Sequence, residues 1–403
     1  MKGGAEAMTQ KQTGRPLGIY IHIPFCRSKC EYCDFYSIAG GRDRDSMERY
    51  TDAVIAHLRE AAARAGSYSV DTIYFGGGTP SFFGAARLKP ILTEIFRRFD
   101  VAKGAEITLE ANPDSITPHE LRKLQRAGFN RISIGVQSDS NELLKALGRP
   151  HNYQQAVTAV RAARAAGFDN VSIDLMYGLP NQTREQWMHT LERALQLRPE
   201  HISCYGLKVE PGTPLDSYRD CANLPDDDTQ ADMYLCAVDY LESYGYEQYE
   251  ISNFAVSGRE SRHNLKYWLG GEYLGFGPAA ASDFGGKRFT CARDLSGYIA
   301  GVKDGGVVLS ECEELPQRER AGEYLMLRLR TRYGVDPEEY TRLFRMPFAP
   351  LEAALAGYEK MGFARREGAA WRLTPSGFLV SNQIIGALLD AQEASDPLSQ
   401  RRG

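Results

Sequence analysis

From Leu17 to about Leu207 the chain alternates short β-branched runs with longer amphipathic stretches, the pattern of parallel strands joined by helical crossovers. Six runs read as strands: LGIYIHI (17–23), DTIYFGG (71–77), EITLEA (106–111), RISIGV (131–136), NVSIDLM (170–176) and HISCYGL (201–207). Between them, Ser46 to Arg64, Ala85 to Phe99, Pro118 to Ala127, Tyr153 to Ala166 and Thr183 to Gln196 repeat apolar residues at helical spacing. Right-handed crossovers wind six such βα units into an open or partial (β/α)6 barrel of the TIM type. Ligands of these sheets bind beyond the carboxyl ends of the strands, so the residues just after each run are where chemistry is expected.

Those positions are chemically dense. Cys26, Cys30 and Cys33 follow the first run, in CRSKCEYC, and Gly76, Gly77, Gly78 and Thr79 close the second. The third ends in Glu110, the fourth in Gln137, the fifth carries Asp174, and the sixth Tyr205 and Gly206. Three thiolates in one short loop can wrap a single metal cluster, and a fourth ligand drawn from elsewhere leaves one iron open as a binding position. Zinc is the structural alternative, but its usual spacing adds a second CxxC or an HxxxH, and neither lies nearby. Phe25, Tyr32, Phe35 and Tyr36 surround the thiols with apolar bulk that limits solvent access and tunes such a centre. Cys204, Cys221, Cys236, Cys291 and Cys312 are scattered singly, so only the cluster carries a signal.

A chain of 403 residues holds two or three domains at ~150 residues each. No apolar run approaches the ~18 residues of a membrane span, so no integral membrane segment is expected. With 48 basic against 52 acidic residues there is no electrostatic footprint for nucleic acid, and a small molecule is the expected partner. The first sixteen residues lack the apolar stretch of a secretory signal, so a cytoplasmic location is expected. Residues 1–16 read as a flexible tail, 17–230 as the barrel core, and 231–315 as a connecting segment that is Gly-rich and aromatic from 246 to 284. Residues 316–391 carry three helical patterns, then FARREGAAWRLTP (363–375), a hairpin turning near Glu367 and Gly368, and a last helix through Asn382 to Leu389. This order suggests a winged-helix-like module that packs on the barrel, since it has no basic stripe for DNA; 392–403 reads as a second tail.

CxxxCxxC after a first strand, followed by GGGTP (76–80) after a second, resembles the radical S-adenosylmethionine (SAM) superfamily. The resemblance implies a [4Fe-4S] cluster on Cys26, Cys30 and Cys33, with the amino and carboxylate groups of SAM on its open iron. Gly76 to Gly78 then let backbone groups approach the methionine ammonium, and Pro80 fixes the turn. A closer similarity covers roughly Leu17 to Leu389 and joins the chain to the HemN-like branch, which holds oxygen-independent coproporphyrinogen III dehydrogenases and heme chaperones. YIHIPFC (20–26), YFGGGTPS (74–81), GVQS (135–138), DLMYGLP (174–180) and LTPSGFLVSNQII (373–385) carry it. By position, Tyr20, Tyr32, Gly76, Gly77, Gly78, Thr79, Glu110, Gln137, Arg149, Asp174 and Gly206 resemble SAM-binding residues. Glu110 and Asp174 would accept from an ammonium or ribose hydroxyls, Gln137 would donate and accept, and Arg149 would pair with a carboxylate.

Two features separate the branches. The dehydrogenases resemble CxxxCxxCxC, whereas this chain continues Cys33, Asp34, Phe35, like the heme chaperones. The chaperone branch also carries HNxxYW, here His263 to Trp268. The resemblance implies heme as cargo and a hemoprotein acceptor, associated with the respiratory chain. His263 and Tyr267 share a helical face and offer an imidazole for axial heme ligation beside aromatic surface; the alternative is a buried histidine organising the barrel's lower rim. Cys291 and His22 are further heme-ligand candidates, and Arg328 with Arg330 are surface charges or anchors for heme propionates. The competing expectations are an enzyme that decarboxylates the propionates of coproporphyrinogen III, and a methyltransferase or cyclase acting on a tetrapyrrole or another substrate. No residue is singled out as catalytic.

Overall fold

The computed structural model describes residues 14–40, 43–221, 223–306 and 309–394. Strands β1 (Arg15–Ile23), β2 (Tyr68–Gly77), β3 (Val101–Ala111), β4 (Arg131–Gln137), β5 (Val171–Tyr177) and β6 (His201–Gly206) lie side by side, each parallel to the next. Helices α1 (Arg44–Ala62), α2 (Ala85–Arg98), α3 (Pro118–Ala127), α4 (Tyr153–Ala166) and α5 (Arg184–Leu195) connect them. Local chemistry sets the ends: Thr117 caps α3 and left-handed Gly128 stops it, while Asn152 and Gln155 form a capping box on α4 and Gly167 ends it. β3 begins earlier than its apolar pattern suggests, because Val101 to Gly104 are half-buried or exposed and carry no burial signal.

The strands' two faces differ in kind. Ile19, Ile21, Ile73, Phe75, Ile107, Leu109, Ile132, Ile134 and Ile173 point outward into the apolar core. Their alternates, Thr72, Tyr74, Glu110, Arg131, Ser133, Asp174, His201 and Ser203, point into the barrel lumen, as the two-residue period of a strand requires.

The barrel stays open, as expected, but its edges are not bare. β7 (Glu247–Glu250) and β8 (Asn253–Ala255) extend the sheet beyond β6 in antiparallel fashion. β9 (Tyr273–Phe276) runs parallel to β1 and is followed by antiparallel β10 (Ala281–Phe284), β11 (Lys287–Cys291) and β12 (Leu309–Glu314). The order is β12-β11-β10-β9-β1-β2-β3-β4-β5-β6-β8-β7. Residues 231–315 are therefore no mere connection; they supply both flanks of the sheet, through strands too short and too mixed in burial to announce themselves without their partners. Helix α6 (Asp227–Ser243) spans the expected boundary at 230, capped by the Asp226 carboxylate, which accepts from Thr229 N–H at 2.8 Å. Helix α7 (Arg262–Trp268) carries HNxxYW, and α8 (Leu295–Lys303) packs on α1.

The C-terminal module comprises α9 (Gln317–Arg328), α10 (Pro337–Phe344), α11 (Ala349–Lys360), the hairpin β13 (Ala364–Glu367) and β14 (Ala370–Leu373), and α12 (Ser381–Ala394), the helix-then-hairpin order of a winged helix. It joins the sheet edge where Ile251 N–H donates to Arg330 O at 2.9 Å and Arg332 N–H to Tyr249 O at 3.0 Å. Arg288 with Glu323 and Arg320 with Asp283 tie its first helix to β10 and β11. Of the two expected tails, residues 1–13 and 395–403 lie outside the described residues, while Arg15 and Pro16 belong to β1 and α12 runs on to Ala394. Among the described residues no helix is long and apolar enough to cross a membrane.

Candidate functional site

A cavity of about 540 Å³ opens at the carboxyl ends of β1 to β6 and runs down the lumen. That volume suits a ligand of cofactor size. Cys26, Cys30, Tyr32, Cys33, Gly77, Gly78, Thr79, Glu110, Gln137, Arg149, Asp174 and Gly206 all line it. Of the residues expected from sequence, Tyr20, Gly76 and His263 stand outside the lining.

The cysteine loop leaves β1 directly and is closed at its base where Phe25–Cys26 pairs with Ile38–Ala39. The glycine turn after β2 presses on it: Gly78 N–H donates to Ile23 O at 2.8 Å and Thr79 N–H to Phe25 O at 2.9 Å. A Cβ on Gly78 would lie 2.8 Å from Ile23 O and 3.0 Å from Cys26 Sγ, so only glycine lets the turn and the thiol approach this closely. Gly77 sits at φ +106, and a Cβ there would strike the His22 ring. Thr79 Oγ1 lies 3.3 Å from Cys26 Sγ, and Arg149 Nη1 donates to Cys30 Sγ at 3.4 Å. Burial pushes the Cys26 and Cys33 thiols above the ordinary range. Among the described residues no three metal-ligating side chains converge on one ion-sized point. The three thiols instead share one rim of the cavity, an arrangement that fits a multi-iron cluster better than a lone zinc.

The carboxylates stand below. Glu110 Oε1 accepts from Tyr74 OH at 2.7 Å and Oε2 from Gly77 N–H at 3.1 Å; burial lifts its carboxyl to about 7. A Cβ on Gly76 would lie 2.8 Å from Tyr74 and 3.0 Å from Glu110, so Gly76 serves by making room for that pair. Asp174 Oδ1 accepts from Ser133 Oγ at 3.0 Å and Ser203 Oγ at 2.9 Å, and burial also raises its pKa. Gln137 holds φ 69, an uncommon backbone for a non-glycine residue, at the very end of β4. Arg149 Nη2 donates to Asn112 Oδ1 at 2.8 Å and Gly135 O at 2.9 Å, which straps the cysteine loop to β3 and β4.

His263 is 0% exposed, and both ring nitrogens are engaged, Nδ1 with Thr72 Oγ1 at 2.9 Å and Nε2 with Tyr267 OH at 2.8 Å. Glu106 accepts from the backbone N–H groups of Arg262 and His263, both at 3.0 Å, and so seats α7 under the lumen. Both ring nitrogens thus have protein partners, and of the motif's described residues Asn264 is the one that lines the cavity. Tyr20 OH and His22 Nδ1 are 3.0 Å apart and His22 Nε2 is 2.8 Å from Tyr36 O, so His22 too has both nitrogens occupied. Cys291 is buried away from the cavity. Arg328 pairs with Glu339 at 2.6 Å and Arg330 donates to Asn382 at 2.7 Å, both within the C-terminal module.

Sequence reasoning passed over Tyr74, Asn112, Arg131, Ser133, His201 and Ser203, which also line the cavity. The signal that would have found most of them is strand parity: counting back by two from Gln137 reaches Ser133 and Arg131, and from Tyr205 reaches Ser203 and His201.

The Radical SAM superfamily model matches residues 20–194 and the HemN C-terminal domain model residues 315–380. Over most of its length the chain is similar to proteins named heme chaperone HemW. It is 35% identical to that of Bacillus subtilis, over 92% of this chain and 98% of the relative. It is 36% identical to that of Escherichia coli, over 93% and 98%. Among solved structures it is similar to coproporphyrinogen III oxidase (HemN) from Escherichia coli, a radical SAM enzyme, at a TM-score of 0.82 and 25% identity over 94% of this chain and 91% of that one.

Proposed function

The chain belongs to the heme chaperone HemW family within the radical SAM superfamily, and from that premise we propose that it holds heme and delivers it to an acceptor hemoprotein. In this reading Cys26, Cys30 and Cys33 would hold a [4Fe-4S] cluster, with SAM bound beside it in the same cavity. Such a cluster, when bound, supplies one-electron chemistry and a ligand position at one iron.

The side chains present supply the rest. Arg149, beside Cys30, offsets the negative charge that three thiolates bring and fixes the loop on the strands. Glu110, already bonded to Tyr74 and Gly77, would accept from the N–H of the methionine amino group, and Asp174, held by two serine hydroxyls, would keep lone pairs for ribose hydroxyls. Tyr32 and Gln137 flank the same space.

The observation that carries the chaperone reading is Phe35. It stands where the decarboxylating branch has a fourth cysteine, is 67% exposed, and lines the cavity's mouth. An exposed aromatic there offers a planar apolar face to a planar macrocycle. The second reading, propionate decarboxylation, draws support from the HemN structure's likeness across both domains. It predicts product from coproporphyrinogen III; the chaperone reading predicts none.

We further propose a cytoplasmic site of action and a respiratory-chain-associated acceptor. Mixing the heme-loaded protein with candidate apo-hemoproteins tests this: the expected result is stoichiometric transfer, read as a shift of the heme spectrum to the acceptor's. Heme retained against every such acceptor would overturn delivery.

A further inference from the structure

Among the described residues two guanidiniums line the cavity, and their terminal nitrogens are met differently. Arg149, near the cysteine loop, has both Nη atoms engaged, by Cys30 and by Asn112 and Gly135, although its Nε too is buried without a partner. Arg131 opens β4 at the other end, six residues and about 20 Å of strand below Gln137. It is 2% exposed and lines the cavity, and its side chain makes no hydrogen bond or ion pair with any described residue, neither through its Nη atoms nor through its sealed Nε. Thr108, its register neighbour on β3, likewise has a buried hydroxyl without a partner.

Burying a guanidinium unpaired costs several kcal/mol, so a fold that keeps one at the end of an open cavity leaves it to be met by what enters. Glu110 and Asp174, the lining carboxyls that feel its charge, have other hydrogen-bond partners. Glu110 serves Tyr74 and Gly77, Asp174 serves Ser133 and Ser203, and neither comes within ion-pair distance of Arg131. Burial moves both carboxyls toward their neutral forms, so the lumen repels an anion less than its composition suggests. Ala111, Met176 and Leu207 supply apolar wall along the same space.

We propose that Arg131 is the anion anchor of the lumen floor and takes a carboxylate of the cargo, a heme propionate. This rests on the heme reading above and adds to it the part of the heme that the lumen recognises. It also moves propionate recognition away from Arg328 and Arg330, whose partners lie in the C-terminal module. The carboxylate of SAM is the other source of the same chemistry, and Arg149 stands nearer the cysteine loop where that group would sit.

The test compares hemin with hemin dimethyl ester, in which both propionates are masked, on the full chain and on Arg131→Gln, with SAM binding measured in parallel. A charge-assisted, two-pronged contact predicts that the wild-type chain prefers hemin by roughly ten- to a hundred-fold. Arg131→Gln is expected to bind both forms alike and to bind SAM unchanged. Wild-type binding without preference would overturn the proposal, as would a preference that survives in Arg131→Gln. Loss of SAM affinity in Arg131→Gln with the preference intact would assign the guanidinium to SAM instead. Failure of the wild type to bind either form would sink the heme reading itself. Should Arg131→Gln not fold, Arg131→Lys keeps the charge without the planar fork and is expected to lose most of the preference; a full preference there would contradict the anchor.

Discussion

On β2, Phe75 turns outward and packs on Phe129 with ring centroids 5.0 Å apart, while its neighbour Tyr74 turns inward and donates to Glu110. The same contrast repeats along the sheet: Ile132 and Ile134 face helices, Arg131 and Ser133 face the cavity. Parallel strands covered on both sides ordinarily read as continuous apolar runs. Here one face holds the fold together, and the other gives up apolar burial to present hydrogen-bonding groups to a ligand. Substitutions on the two faces should therefore fail in different assays.

The largest separation is expected at the rim. Replacing Cys26, Cys30 and Cys33 together by Ala removes the iron–sulfur absorbance near ~400 nm completely while the far-ultraviolet circular dichroism stays unchanged. Retained absorbance would remove the cysteines from the cluster assignment. Next, Phe75→Ala on the outer face is expected to cost about 3–5 kcal/mol in a denaturant titration. Asp174→Asn on the inner face should cost under ~1 kcal/mol of stability yet weaken SAM binding by about tenfold, measured by calorimetry. Equal stability losses at the two positions would break the division between faces.

A smaller effect follows from Glu110. Its carboxyl rises from 4.5 to about 7 in the folded chain, so between those values the folded state keeps a proton that the unfolded state has lost. Stability then falls as pH rises through that window and levels off above it. Glu110→Gln is expected to flatten that part of the profile, leaving the share of Glu250, which burial also raises to about 7. An unchanged slope would contradict the assignment. The smallest effect is expected of Tyr267→Phe, which frees His263 Nε2: about 1 kcal/mol of stability and no change in the heme spectrum. A shifted Soret band with tighter heme binding would instead make that nitrogen an iron ligand.

The βα period, the cysteine loop and the glycine turn were legible because each is local. Asn152 with Gln155 marks a helix start without help from the rest of the chain, and Cys26 to Cys33 lie in one loop. The flanks β7 to β12 were not legible, since strands such as Asn253–Ala255 are fixed by pairing with β6 or β1. Arg131 was legible only through its neighbours: at the head of an apolar strand a lone arginine carries no signal, and it is found by counting back along the lumen-facing parity from Gln137. The sequence leaves His263 between two readings, and in the fold its ring nitrogens meet Thr72 and Tyr267, distant and near in sequence.

The most direct measurement of whether this cavity carries heme or transforms a porphyrinogen splits one anaerobic, cluster-reconstituted sample in two. One half is titrated with hemin and followed by absorbance; the other is given coproporphyrinogen III, SAM and a reductant. Saturable, near-stoichiometric heme binding with no protoporphyrinogen is the predicted result. Catalytic formation of protoporphyrinogen with only weak heme binding would contradict it, and would make Phe35 a substitution within a biosynthetic enzyme rather than the mark of a carrier.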